Sequence, residues 1–250
     1  MIIDNTKKFL LDNKVDIEKR YGQNFLIDKN ILNLIIAQAQ LTKEDCVLEI
    51  GPGIGSLTEA LIMKANKVLC FEIDNEMCHI LNKNFGKEKS LRIINEDVLK
   101  VNVQEAANNF FWEGHQCKVI ANLPYYITTP IILKLLLETN INHFIFMIQK
   151  EVAQRLTAMP KNKEYGAITV IMNYFTSTRI FHIVGRNCFF PAPKVDSALI
   201  EVKRIKNDYK LKNEPNFLKF IYAIFAQKRK TLINNINAQY GLQKDFLQQE

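Results

Sequence analysis

The chain has 250 residues, 48% hydrophobic and 24% charged, a composition that excludes an intrinsically disordered protein and is ordinary for a globular one. That length accommodates one large α/β domain, alone or with a small companion, and no apolar run reaches the roughly 20 residues that a membrane-spanning helix needs. The net charge of +7 and isoelectric point near 9.0 favour a polyanionic partner.

Residues 1–20 mix Asp4, Lys7, Lys8, Asp12, Lys14, Asp16 and Glu18 with short apolar stretches, unlike a secretory signal, so a cytoplasmic protein is expected. Beyond them, short apolar runs alternate with helical patterns, the signature of a parallel sheet covered by helices. Strands are expected over 46–50, 68–72, 91–95, 118–121 and 143–148, and helices over 30–39, 57–64, 75–85, 130–138 and 151–158. The strand runs are nearly continuous in Val, Ile, Leu and Phe, as burial on both faces requires.

Further on, 165–174 reads as helix, and 179–184 and 197–203 as late strands that close the sheet. The connection over 186–196 holds Pro191 and Pro193 and cannot be a central strand. After a polar linker over 206–215, helical periodicity returns over 217–225 and 232–246. The expected division is therefore a first domain over 1–203 and a small all-helical C-terminal domain over 204–250.

Five cysteines, Cys46, Cys70, Cys78, Cys117 and Cys188, are odd in number and lack any Cys-x-x-Cys pair, which points to reduced thiols. The four histidines, His79, His115, His143 and His182, are scattered, and nothing in the spacing supports a metal site. Charge is concentrated late in the chain, where Lys203, Arg204, Lys206, Lys210, Lys212, Lys219, Lys228, Arg229 and Lys230 face only Asp208 and Glu214. Such a stretch suits nucleic-acid phosphates.

Three segments carry chemistry. Glu49-Ile50-Gly51-Pro52-Gly53-Ile54-Gly55 follows the first strand and precedes a helix, where glycines allow a sharp turn and close approach of a ligand. That turn is shared by dinucleotide dehydrogenases and S-adenosylmethionine enzymes. Glu72 ends the second strand and Asp97 follows the third, both on the carboxyl edge where open α/β sheets bind ligands. Glu72 can accept two ribose hydroxyls, and Asp97 an adenine amino group, with Ile73 and Val98 on either side of the ring. The third segment, Asn122-Leu123-Pro124-Tyr125, ends a strand. An Asn carboxamide oxygen accepts a hydrogen bond without charge, and a residue before proline is held extended, so that the Leu123 carbonyl projects as a second acceptor. Tyr125 could stack on a planar base. Asp97 taken with the Asn122 loop fits methyl transfer to an exocyclic amine better than hydride transfer.

Together with Lys19-Arg20-Tyr21-Gly22-Gln23-Asn24-Phe25-Leu26, Glu72-Ile73-Asp74, Glu96-Asp97 and Phe189-Phe190-Pro191-Ala192-Pro193-Lys194-Val195-Asp196-Ser197, these segments resemble the KsgA/RsmA ribosomal RNA adenine dimethyltransferases over residues 19–232. The resemblance implies a class I S-adenosylmethionine-dependent methyltransferase fold, Rossmann-like, whose seven-stranded, mostly parallel sheet has one antiparallel strand, followed by the helical domain. It implies transfer of methyl groups to N6 of two adjacent adenosines in the 3′-terminal hairpin of small-subunit rRNA. The implied cofactor is S-adenosyl-L-methionine, held by Gln23, Asn24, Leu26, Gly51, Gly53, Glu72, Ile73, Asp97, Val98 and Asn122. The expected substrate is a pre-30S-type particle and the expected state a monomer, without metal or membrane. The chain stops at Glu250, shorter than the family usually runs, so an abbreviated last helix is expected.

On this reading Asn122 and Leu123 accept from the adenine N6, Pro124 shapes the loop, and Tyr125 stacks on the extruded base. Phe189 closes the far edge of the base pocket, with Phe190 as its alternative. Lys194, Lys228, Arg229 and Lys230 meet RNA phosphates. Two other readings use the same residues: a large-subunit rRNA adenine methyltransferase of the antibiotic-resistance type, and a non-catalytic RNA-binding assembly factor.

Overall fold

The computed structural model describes residues 2–12, 23–111, 116–206, 211 and 213–243. After helix α1 (Ile2–Asp12) and the two-residue strand β1 (Phe25–Leu26), the chain enters α2 (Lys29–Ala39). Asp28 starts α2 by accepting the Asn30 and Ile31 amides, a side-chain cap for otherwise unpaired donors. Then β2 (Cys46–Ile50), α3 (Ser56–Lys64), β3 (Lys67–Phe71), α4 (Asn75–Phe85), β4 (Leu91–Ile94), α5 (Val103–Phe110), β5 (Cys117–Asn122), α6 (Thr128–Glu138) and β6 (His143–Gln149) alternate. Helices α7 (Lys150–Leu156) and α8 (Ala167–Phe175) precede β7 (Thr176–Val184), β8 (Phe189–Phe190) and β9 (Ser197–Arg204), and α9 (Glu214–Ile224) and α10 (Leu232–Tyr240) follow.

Seven strands form one sheet in the order β4-β3-β2-β5-β6-β9-β7. β2 pairs in parallel with β3 on one side and β5 on the other, and β9 is antiparallel to β6, with Gln149 opposite Ser197. The antiparallel strand implied by the resemblance is thus β9. All of β2 is buried, as its unbroken apolar run requires apart from Glu49. The strand order reverses between β2 and β5, so the loops leaving β2, β3, β4 and β5 converge on one edge, a topological switch point.

A second sheet has two short strands, β1 and β8, antiparallel with Phe25 opposite Phe190 and Leu26 opposite Phe189. Alternation along a strand sends neighbouring side chains to opposite faces. Leu26 and Phe189 accordingly join the core cluster containing Ile31, Leu32, Ile120 and Met147. Phe25 and Phe190 face Leu10, Ile54 and Met77.

The chain groups into two compact units, Met1–Ala153 with Arg179–Arg204, and Gln154–Thr178 with Ile205–Glu250. Residues 154–178, assigned by the sequence reading to the first domain, belong by packing to the second unit, where the Tyr174 ring of α8 lies 4.9 Å from Phe217 of α9. The predicted helix over 232–246 runs to Tyr240, and 244–250 fall outside the described residues.

Candidate active site

The glycine turn leaves β2 with Gly51, Gly53 and Gly55 all at positive φ, a conformation that side chains with a Cβ resist. Gly53 has a second constraint, since a Cβ there would stand 2.9 Å from the Phe25 ring. Its amide donates to Glu72 Oε2 at 3.0 Å, and Glu72 Oε1 accepts from the Asp74 amide at 3.0 Å. Glu72 is therefore bridged between two loops, and each oxygen retains a lone pair for a ligand. Burial pushes its pKa up, while the amide hydrogen bonds favour the anion.

Asp74 caps α4 through Oδ1 and accepts Gln23 Nε2 at 2.7 Å through Oδ2. Gln23 Oε1 is buried and has no hydrogen-bond partner among the described residues. Past β4, Asp97 Oδ1 accepts the Leu99 amide at 2.9 Å, which fixes the carboxylate at the loop. Val98 is buried beside it, while Ile73, past the end of β3, is 39% exposed.

Asn122 is the last residue of β5, and its Nδ2 donates to the Asn24 carbonyl at 3.1 Å. Only the amide nitrogen can face a carbonyl, so the orientation of the carboxamide is determined. Oδ1 takes no hydrogen bond from any described residue. Leu123 donates its amide to the Met147 carbonyl at 3.0 Å. Leu123 is only 1% exposed. Pro124 lies 3.7 Å from the Cβ position at Gly51, so the loop after β5 abuts the glycine turn. The Pro124 carbonyl is held by Thr128 Oγ1 at 2.9 Å, and the Tyr125 hydroxyl meets Ser197 Oγ.

These loops line an open cavity with about 1050 Å³ of space including its mouth. Of the predicted residues, Gln23, Asn24, Leu26, Gly51, Gly53, Glu72, Ile73, Asp97, Val98, Asn122, Leu123, Pro124 and Tyr125 all line it. Phe189 does not. Its ring is 2% exposed within the core cluster, because the β1–β8 register turns it inward, and the role of pocket edge assigned to it is corrected accordingly. Phe190 does not line the cavity either; Lys7 Nζ stands 5.5 Å from its ring centroid. Lys194 is exposed on the loop between β8 and β9, and Lys228, Arg229 and Lys230 are exposed on the turn between α9 and α10 of the second unit.

Sequence reasoning gave no role to Glu49, Phe25 or Tyr126, which also line the cavity. Glu49 had a readable signal as the lone carboxylate in an otherwise apolar buried strand. It accepts from Thr58 Oγ1 at 2.7 Å, and burial raises its pKa to about 7. No such signal marked Tyr126, which is 53% exposed at the cavity.

The residues of the cavity wall are therefore rich in acceptors, with Glu72, Asp97, Asn122 and the backbone of Leu123 among them. The wall suits ligands that bring N–H and O–H donors or positive charge. Among the described residues, no group of three or more His, Cys, Asp or Glu side chains could hold a metal ion, and no helix is long and apolar enough to cross a membrane.

The sequence profile of a family described as ribosomal RNA adenine dimethylase matches residues 14–249. Curated relatives called ribosomal RNA small subunit methyltransferase A, from Bacillus cereus and Bacillus mycoides, are 44% identical over 245 residues, spanning 97% of this chain and 84% of theirs. The solved structure of a dimethyladenosine transferase from Plasmodium falciparum is 30% identical, covers 85% of this chain and 74% of that one, and superposes with a TM-score of 0.72. That of the 23S rRNA methyltransferase ErmE, 24% identical, covers 87% of this chain and 85% of that one with a TM-score of 0.68, a likeness of fold.

Proposed function

Since this chain belongs to the ribosomal RNA adenine dimethylase family, we propose that its cavity holds S-adenosylmethionine beside an extruded adenine of small-subunit rRNA. The protein is an rRNA adenine dimethyltransferase, and on this reading it transfers methyl groups to N6 of two adjacent adenosines in the 3′-terminal hairpin. One observation carries the assignment of the site. The Asn24 carbonyl holds the Asn122 amide so that Oδ1 is left to accept, in the same cavity as Leu123, Glu72 and Asp97.

The donor set fits the cofactor. Glu72 would accept the ribose hydroxyls, Asp97 the adenine amino group, and Ile73 and Val98 would flank the adenine. Gln23, Asn24, Leu26, Gly51 and Gly53 would form the adjacent wall. When bound, S-adenosylmethionine supplies a methyl group on a sulfonium, already activated for transfer.

The residues of the chain do the rest. The N6 lone pair of adenine is delocalised into its ring, and hydrogen bonds from N6 to Asn122 Oδ1 and the Leu123 carbonyl favour an amine-like nitrogen whose lone pair points out of the ring plane. Tyr125, anchored at its hydroxyl by Ser197, stacks on the base. Positioning of the two reactants supplies most of the acceleration. No strong base is required, because the nitrogen becomes acidic once methylated. Lys194, Lys228, Arg229 and Lys230 neutralise RNA phosphates. The reading carries with it a cytoplasmic monomer acting on a pre-30S-type particle.

The test is transfer of labelled methyl to undermethylated small subunits, with mapping of the modified nucleotides. Two adjacent dimethyladenosines in the 3′-terminal hairpin are expected. Label in large-subunit RNA instead, or none in either RNA, would overturn the proposal.

A further inference from the structure

Asn235 is an asparagine in the middle of α10 that is 2% exposed. A buried carboxamide needs partners, and helix α10 supplies none to this side chain. They come from the preceding turn. Asn235 Oδ1 accepts the Gln227 amide at 3.1 Å, and Nδ2 reaches the carbonyls of Ile224 at 3.0 Å, Gln227 at 3.1 Å and Lys230 at 3.5 Å. One side chain thus ties together the end of α9, the start of the turn and its last basic residue.

The turn it organises carries Lys228, Arg229 and Lys230, all exposed, and with Gln227 they line a single pocket. Besides these bonds, the Ala226 amide donates to the Ala223 carbonyl, the Lys230 amide to the Gln227 carbonyl and the Lys228 ammonium to the Lys163 carbonyl, and Thr231 caps α10. Three neighbouring cations on a short turn repel one another, and an unconstrained turn would spread them. We infer that Asn235 is a positioning residue for RNA binding. Its buried amide fixes the backbone from which Lys228, Arg229 and Lys230 project, so that they present a preformed cationic surface to phosphates. The inference rests on the reading that this turn contacts rRNA.

Preorganisation of this kind acts on affinity and leaves chemistry alone. The test compares wild type, Asn235→Ala, and a triple variant in which Lys228, Arg229 and Lys230 are all replaced by Ala. RNA affinity is measured across a salt series, with cofactor affinity and turnover at saturating RNA. Should Asn235→Ala lose helix content by circular dichroism, Asn235→Asp is read in its place. It keeps the volume and the acceptor for Gln227 but sets a carboxylate oxygen against three carbonyls. The expected result for the Asn235 variant is a KM for RNA raised about tenfold and a shallower salt dependence, as lost phosphate contacts dictate, with kcat and cofactor affinity unchanged. Added to the triple variant, the Asn235 change should cost little more. Wild-type RNA affinity and salt slope in a folded Asn235 variant, with the triple variant weakened, would overturn the positioning role alone. Unchanged affinity in the triple variant would remove the turn from the RNA surface, and the inference with it.

Discussion

The hydroxyls of Tyr125 and Ser197 meet at 2.5 Å across 72 residues of sequence, so the loop after β5 is fastened to the first residue of β9. Ser197→Ala should release the ring while leaving the cofactor half of the cavity intact. The expected loss in kcat/KM for RNA is about fivefold, equivalent to one net hydrogen bond of about 1 kcal/mol. Tyr125→Phe should match it, and the double variant should lose no more than either alone. Steady-state kinetics with calorimetry of cofactor binding would check this, and additive losses would contradict it.

Asn122→Ala should retain RNA affinity and lose methyl transfer by about 10²–10³-fold, the scale of one preorganised hydrogen-bonding group at a reacting centre. Asn122→Asp should fare no better, although it keeps both size and an acceptor. The carboxylate has no donor for the Asn24 carbonyl, so it would abandon the orientation that aims Oδ1 at the base. Single-turnover transfer to undermethylated subunits separates these outcomes from a binding defect.

Gly53→Ala places a Cβ at φ 58°, 2.9 Å from the Phe25 ring. The strain should cost about 1–2 kcal/mol of stability. It should also weaken cofactor binding, because Phe25 lines the cavity and the Gly53 amide holds Glu72. Urea unfolding and calorimetry measure the two effects separately.

Much of this arrangement was legible in the sequence, for identifiable reasons. β2, β3, β5 and β6 are buried runs of branched and aromatic residues, and their predicted bounds lie within a residue or so of those observed. The site loops follow because each leaves a carboxyl end of such a strand. What escaped was non-local or weakly patterned. The β1–β8 pairing joins two dipeptides far apart in the chain, and no local periodicity announces it, so the direction of Phe189 could not be read. Helix α5 is only eight residues long and was missed, although Val103, Ala106, Ala107 and Phe110 recur at helical spacing and Asn102 caps it. Asn235 was hidden as an ordinary polar residue of a helix, since its partners lie in the turn before it.

Glu49 makes stability depend on pH. Burial raises its folded pKa from 4.5 to about 7, so the folded chain binds this proton more tightly than the unfolded one. The contribution is fully present below pH 4.5 and is lost as pH rises through about 7. Glu49→Gln keeps the acceptor for Thr58 and removes the titration. Relative to wild type, the variant should gain on the order of 2–3 kcal/mol between pH 5 and pH 8, measured by urea unfolding at both. A constant difference across that range would exclude Glu49 as the titrating group.

The bonds that complete the cavity span 98 residues from Asn24 to Asn122 and 72 from Tyr125 to Ser197. During synthesis, then, the glycine turn, both acids and the Asn122 loop all emerge from the exit tunnel before the hydroxyl that steadies Tyr125 exists. A nascent chain released short of β9 would carry the glycine turn and both acids without a fastened Tyr125 loop. The cavity is thus completed only after β9 has been made, when that antiparallel strand slides in beside β6.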